Sequence, residues 1–206
     1  MNDAPATRPR LSRAETKDNT HRQLLEAAER VFVRLGYQGA TLDVIAAEAG
    51  FTKGAVYWHF RNKEALFLEL LADGMKRNTA DAERIFTLLE HRPERLEAEL
   101  SAWFDQFDGS NNVPLLALEM DLESRRNPSF AALLEQVVAK QHAVASDILR
   151  RYYSIVGRSP PMLLEELAKA IIAVSRGMAL ARQTPHSADL STAKIVRILL
   201  GMPVKS

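Results

Sequence analysis

Apolar side chains recur at steps of three and four residues along most of this 206-residue chain, and no other pattern limits its fold as tightly. That spacing gathers a stripe on one side of a helix, whereas a half-buried strand needs strict alternation, and no alternating run here is long enough. The nine glycines and nine prolines stand mostly between the periodic stretches, where they begin or end helices rather than break them. An all-α fold is expected. Apolar residues at 47% and charged residues at 26% supply a packed core and exclude disorder throughout. The sequence has no cysteine, so disulfides, thiolate nucleophiles, cysteine zinc sites and iron–sulfur clusters are excluded. No apolar run approaches the ~18 residues of a membrane-crossing helix. The first residues, with Arg8, Arg10 and Arg13, lack the apolar stretch of a signal peptide. A cytoplasmic protein with no membrane partner is expected.

Residues 1–16 hold prolines, small polar residues and three arginines, and read as a flexible basic arm. A first helix is expected from Asp18 or Thr20 to Leu35, with Leu24, Leu25, Ala28, Val31, Phe32 and Leu35 on one face and Gly36 as its stop. Thr41 and Thr52 stand where an N-cap hydroxyl accepts from first-turn amides, which predicts helices from Thr41 to Ala49 and from Thr52 to about Phe60. Asn62 starts a longer helix that passes through Gly74 to Leu89. Further helices are expected near Pro93–Phe107, Pro114–Arg125, Pro128–Tyr153, Pro161–Arg182 and Leu190–Leu200, four of them opened by proline, whose fixed φ suits a first helical position. The expected division is an arm over 1–16, a helix-turn-helix domain over 17–62 and a larger domain over 63–206.

Residues 41–63, TLDVIAAEAGFTKGAVYWHFRNK, carry the most specific signal. Two short helices joined by a glycine-containing turn form a helix-turn-helix. Ala46 and Ala49 let the helices cross closely, Gly50 permits the sharp turn, and Ile45, Val56 and Phe60 fill the space against the first helix. Thr52, Lys53, Gly54, Ala55, Tyr57, Trp58 and His59 are left without core work. Double-stranded DNA fits such a surface: the helix start offers free amides to phosphate, Lys53 a cation, Tyr57 and His59 donors, and Gly54 and Ala55 a flat approach to base edges. Residues 8–63 carry ten Lys and Arg against six Asp and Glu, a surplus of four hidden within a whole-chain charge of +1. The basic end is the one that holds the motif.

The segment LLEAAERVFVRLGYQGATLDVIAAEAGFTKGAVYWHFRNKEALF closely resembles the N-terminal signature of the TetR family of bacterial transcriptional regulators. The resemblance covers roughly residues 20–70, and its YWHF version is most similar to the branch that includes efflux-pump repressors. It implies an all-helical homodimer that reads a palindromic operator and is released by a small molecule bound in a C-terminal domain. By the same resemblance Thr41 caps its helix and touches phosphate, Thr52, Lys53, Gly54 and Ala55 open the recognition helix, Tyr57 and His59 meet the backbone, Trp58 lies at the groove, and Lys63 contacts a phosphate. Phe32, Ile45, Val56 and Phe60 are implied core positions.

An enzyme is not expected. His21, His59, His91, His142 and His186 are scattered, without metal-ligand spacing, so neither a metal nor a cofactor is implied. Glu119, Asp121 and Glu123 alternate along one helix, cannot share a face, and read as solvated. No glycine-rich phosphate loop or nucleophile elbow is present. Large residues of the middle helices, Phe86, Trp103, Phe107, Met120 and Met178, with Glu119 and Gln141 as polar members, are candidates to line an effector site. The last two long helices, about 161–182 and 190–200, are apolar on more than one side and offer a homodimer surface. A helical small-molecule binder without an operator and a helical enzyme of unrecognised chemistry are the rival readings.

Overall fold

The computed structural model describes residues 12–109, 111–182 and 191–202, which form helices and turns with no strand among them. The helices are α1 (Arg13–Gly39), α2 (Leu42–Ala49), α3 (Lys53–His59), α4 (Lys63–Leu89), α5 (Pro93–Gly109), α6 (Val113–Ser124), α7 (Pro128–Val156), α8 (Leu164–Ala181) and α9 (Thr192–Leu199). Two compact units divide between Leu66 and Phe67, inside α4 rather than at its start.

In the first unit α1 begins earlier than expected. Ser12 and Glu15 form a capping box: the Ser12 hydroxyl accepts from the Glu15 amide at 3.2 Å, and the Ser12 amide donates to the Glu15 carboxylate at 2.7 Å. Residues 12–16, read from their lack of large apolar side chains as part of the arm, are therefore a cap and a first turn; residues 1–11 of that expected arm lie outside the described residues. Gly36, at φ 68°, breaks the helical path where a stop was expected. α1 packs on α2 and α2 on α3. Leu24, Ala28, Val31 and Phe32 of α1 are buried, as are Ile45, Ala46, Val56 and Phe60, so the four expected core positions are all buried, whereas Leu35, expected on the same face of α1, is exposed just before the break at Gly36.

In the second unit α8 packs against α5, α6, α7 and α9. Two expected starts shift: α8 begins at Leu164 rather than Pro161, and α9 at Thr192, where the Ser191 hydroxyl accepts from the Lys194 amide at 3.2 Å. One core joins Phe86 of α4, Leu96, Leu100 and Phe104 of α5, Tyr152 and Tyr153 of α7, Leu167 of α8 and Val196 of α9. Polar staples close its end. Arg158 donates to the Glu97 carboxylate, to the Tyr152 hydroxyl at 2.6 Å and to the Gly201 carbonyl at 2.9 Å, while the Tyr153 hydroxyl donates to the Leu200 carbonyl at 3.1 Å. Burial pushes both tyrosine hydroxyls above their usual pKa, Tyr152 the further of the two, so they stay protonated donors.

Gly74 shows why a helix of 27 residues keeps a glycine in its interior. A Cβ there would lie 2.4 Å from Cγ2 of Val113 at the start of α6. Alanine would gain about 1 kcal/mol of helix propensity, yet overpacking against a stiff β-branched neighbour costs about 1–3 kcal/mol. Gly74→Ala should therefore lower the midpoint of urea unfolding, and adding Val113→Ala should recover part of the loss; a stabilised single variant would show that the helices are free to separate.

Candidate nucleic-acid interface

α3 is short, and its ends are fixed by neighbours in sequence. Gly50, at φ 72° in the left-handed region, closes α2, with its own amide and that of Phe51 returning to Ala47 and Ala46. Thr41 caps α2 by accepting from the Val44 amide at 3.2 Å, and Thr52 caps α3 by accepting from the Ala55 amide at 3.3 Å. Val56 points inward and Phe60 is buried just beyond the helix.

The remaining face points outward. Tyr57 is 56% exposed and Trp58 65%, and Thr41, Thr52, Lys53 and Gly54 are also exposed, while Ala55 and His59 are half-buried. Two large aromatics left in water at the middle of a short helix are costly unless a partner covers them. The Lys17 ammonium lies 4.8 Å from the centre of the Trp58 ring, and Lys53 pairs with Asp43 of α2. Across the back, Glu48 of α2 is shared by Arg30 at 3.0 Å and Arg34 at 2.9 Å of α1. These two arginines, Arg34 first, hold the Glu48 carboxyl below its ordinary value of 4.5.

Two expected contact residues have partners inside the unit that the sequence did not reveal. Nδ1 of His59 lies 3.2 Å from Nδ1 of His21 on α1, so one imidazole donates and the other accepts, and the His21 ring stacks on Phe60 with centroids 4.9 Å apart. Lys63 donates to the carbonyls of Tyr37 at 2.7 Å and Ala40 at 3.0 Å, with its ammonium 4.3 Å from the centre of the Tyr37 ring. Its charge thus caps the end of α1, where carbonyls lack helical partners.

The residues proposed from sequence for an effector site do not form one group. Phe86 is buried in the core around Tyr152, beneath the Arg151 guanidinium, and Trp103 packs against that same core. Met120 and Met178 are buried, Glu119 and Gln141 half-buried, and the side chain of Phe107 lies outside the described residues. The acidic alternation is not simply a solvated face, because Asp121 pairs with Arg176 of α8 and Glu123 is buried. Among the described residues no cluster of metal-ligating side chains occurs, and no helix is long and apolar enough to cross a membrane.

A family profile described as "Bacterial regulatory proteins, tetR family" matches residues 24–70, the stretch that contains α2, α3 and their supports. Over those residues the chain is similar to the TetR family. An HTH-type transcriptional repressor of Mycobacterium tuberculosis is 32% identical over 130 residues, 63% of this chain and 64% of that protein. The HTH-type transcriptional regulator TtgR of Pseudomonas putida is 49% identical over 57 residues, 28% of this chain and 27% of that one. The matches thus span less than two thirds of either relative. The transcriptional regulator FadR of Bacillus subtilis, solved in complex with stearoyl-CoA, covers 88% of this chain and 96% of its own at TM-score 0.65, with 18% identity, a likeness of fold. These proteins are named as regulators rather than enzymes.

Because folding favours the charged form of Glu48, its contribution is present above the ordinary carboxylate pKa and fades as pH falls through the lowered folded value. Glu48→Gln should melt below the wild type at pH 7, with the gap closing below pH 4.5; a gap constant across pH would remove the ion pairs as its cause. Lys63→Met leaves two carbonyls without their charged donor and should cost about 1.5–3 kcal/mol in urea unfolding.

Proposed function

We propose that this chain is a ligand-responsive, sequence-specific DNA-binding regulator, a repressor released from a palindromic operator by a small molecule. The observation that carries this reading is the outward face of α3, where Thr52, Lys53, Gly54, Tyr57 and Trp58 are exposed together on a helix held from behind by Val56. First-turn amides of α3 and the hydroxyls of Thr41 and Thr52 suit phosphate oxygens. His59 would meet the DNA backbone, and the third donor of the Lys63 ammonium would serve a phosphate. Repression is supported by the name of the M. tuberculosis relative, and a small-molecule effector by the stearoyl-CoA complex of the B. subtilis regulator.

A twofold homodimer through α8 and α9 accompanies this reading. Leu163 and Leu180 at the two ends of α8 and Ile198 of α9 are exposed apolar residues, and Ala173 and Gly177 leave the middle of α8 flat and accessible. In the proposed mechanism a ligand in the C-terminal residues shifts α4, which starts at the Lys63 cap on α1 and runs to Leu89. The shift changes the separation of two recognition helices that must sit ~34–36 Å apart to enter successive major grooves. A coupling of ~1–3 kcal/mol suffices.

Selection of bound duplexes from a random pool at ~0.15 M salt tests the reading, since specific binding survives there and most non-specific binding does not. The expected result is a palindrome with half-sites one helical turn apart. Tyr57→Ala and Thr52→Ala should abolish that binding, and Lys63→Ala should reduce the magnitude of the salt slope by ~0.9 for each phosphate the ammonium no longer neutralises. Recovery of no consensus would reject sequence-specific regulation.

A further inference from the structure

Arg176 is a half-buried cation whose Nε atom is fully buried. It projects from α8 between α6 and α7, where Nη1 pairs with the Asp121 carboxylate and Nη2 donates to the Gln141 side-chain oxygen at 3.1 Å. Its third nitrogen, Nε, is buried, and its N–H has no hydrogen-bond partner. An arginine fork held at two nitrogens is fixed in direction, and a buried donor left unsatisfied costs about 1–3 kcal/mol. Natural proteins leave few such groups. An acceptor supplied from outside the chain would remove that cost.

The surroundings specify the acceptor. Arg176 and Lys169 act on His142 as positive charges and Asp121 as a negative one. Burial, and then the charges of Arg176 and Lys169, push His142 below the usual histidine range, so it stands as a neutral imidazole rather than a further cation. Glu119 and Glu123 lie two positions either side of Asp121, and residues so spaced on a helix do not face each other. Apolar groups occupy the neighbouring turns at three- and four-residue spacing: Ala117 and Leu118 before Asp121, Val144 and Ala145 after Gln141, and Ile172 before Arg176. The Arg176 side chain keeps 15% of its exposure and that of Asp121 31%, so the cluster reaches the surface at its acidic edge.

We propose that Asp121, Gln141, His142 and Arg176 form the polar end of an effector site, where Arg176 Nε–H donates to the oxygen of a carboxylate or carbonyl borne by an otherwise apolar molecule. Gln141 and Asp121 are positioning residues that aim the guanidinium, and Asp121 also competes with an anionic ligand for its charge. A quaternary ammonium would meet like charge. The inference rests on the ligand-response reading above and names the chemistry of its ligand.

Calorimetry on the full chain with three ten-carbon probes, decanoate, decanamide and decyltrimethylammonium, tests it. Decanoate should bind most tightly and the ammonium least. Removing a charge-assisted hydrogen bond by Arg176→Met should weaken decanoate about tenfold. Asp121→Asn should tighten it several-fold, because the guanidinium loses its competitor. On the wild-type chain, decanoate should shift the Arg176 Nε–H resonance in arginine-selective NMR, a readout that does not require any variant to fold. Decanoate binding insensitive to both substitutions, equal weakening by both, preference for the ammonium, or an unmoved Nε–H signal would each overturn the assignment. The same titrations with the selected duplex separate the two readings. Binding that depends on Arg176 but leaves DNA affinity unchanged would reject ligand response and keep the site, while DNA binding without any decanoate binding would do the reverse.

Discussion

A helix of seven residues has almost no stability of its own, since nucleation costs more than so few hydrogen bonds return. Everything proposed for this protein depends on α3 being held in one orientation by things outside it. Gly50 supplies the turn, the Thr52 hydroxyl closes the first amides, and Val56 and Phe60 tie the helix to a core built on α1 and α2. Because a single buried side chain of α3 does the anchoring, most of its circumference is left for another molecule. Small residues matter as much as large ones here: Ala46 lies buried where α2 meets its neighbours, and a bulkier side chain would push the helices apart.

The supports are mostly backbone groups satisfied by side chains that also carry charge or ring surface. Lys63 is the clearest case, since it closes the end of α1 while forming the first residue of α4. A cation placed there belongs both to the stability of the first unit and to the start of the helix that leaves it. His59 similarly belongs to α3 by sequence and to α1 by its contact with His21. Affinity and stability will therefore be entangled in variants at these positions, and unfolding measurements must accompany binding measurements.

The elements legible in the sequence were those specified by near neighbours. Thr41, Thr52 and Gly50 announce caps and a turn through residues three or four positions away, the apolar stripe of α1 identifies Phe32 as core, and the helix-turn-helix pattern does the same for Ile45, Val56 and Phe60. Ser12 and Glu15 carry an equally local signal, Ser-x-x-Glu, which is outweighed by the polar composition around it. What remained hidden was set by long-range pairing. Lys63 meets carbonyls 23 and 26 positions earlier, and Arg176 meets Asp121 and Gln141 at separations of 55 and 35. No periodicity encodes such meetings. For the same reason the large residues of the middle helices could not be assigned in advance, and Phe86 and Met120 both prove fully buried.

Glu48 and Asp43 give the basic end a character that its charge count conceals. Three of the ten cations in residues 8–63, Arg30, Arg34 and Lys53, are already paired with carboxylates of α2. Cations neutralised within the protein release few counterions from a duplex, and it is that release which makes a protein cling to any sequence. A subunit wired in this way would spend little time on random DNA and would search mainly by brief encounters. Its occupancy in a genome would then be set by the fit of α3 to a few sites, with little dilution by the vast excess of others.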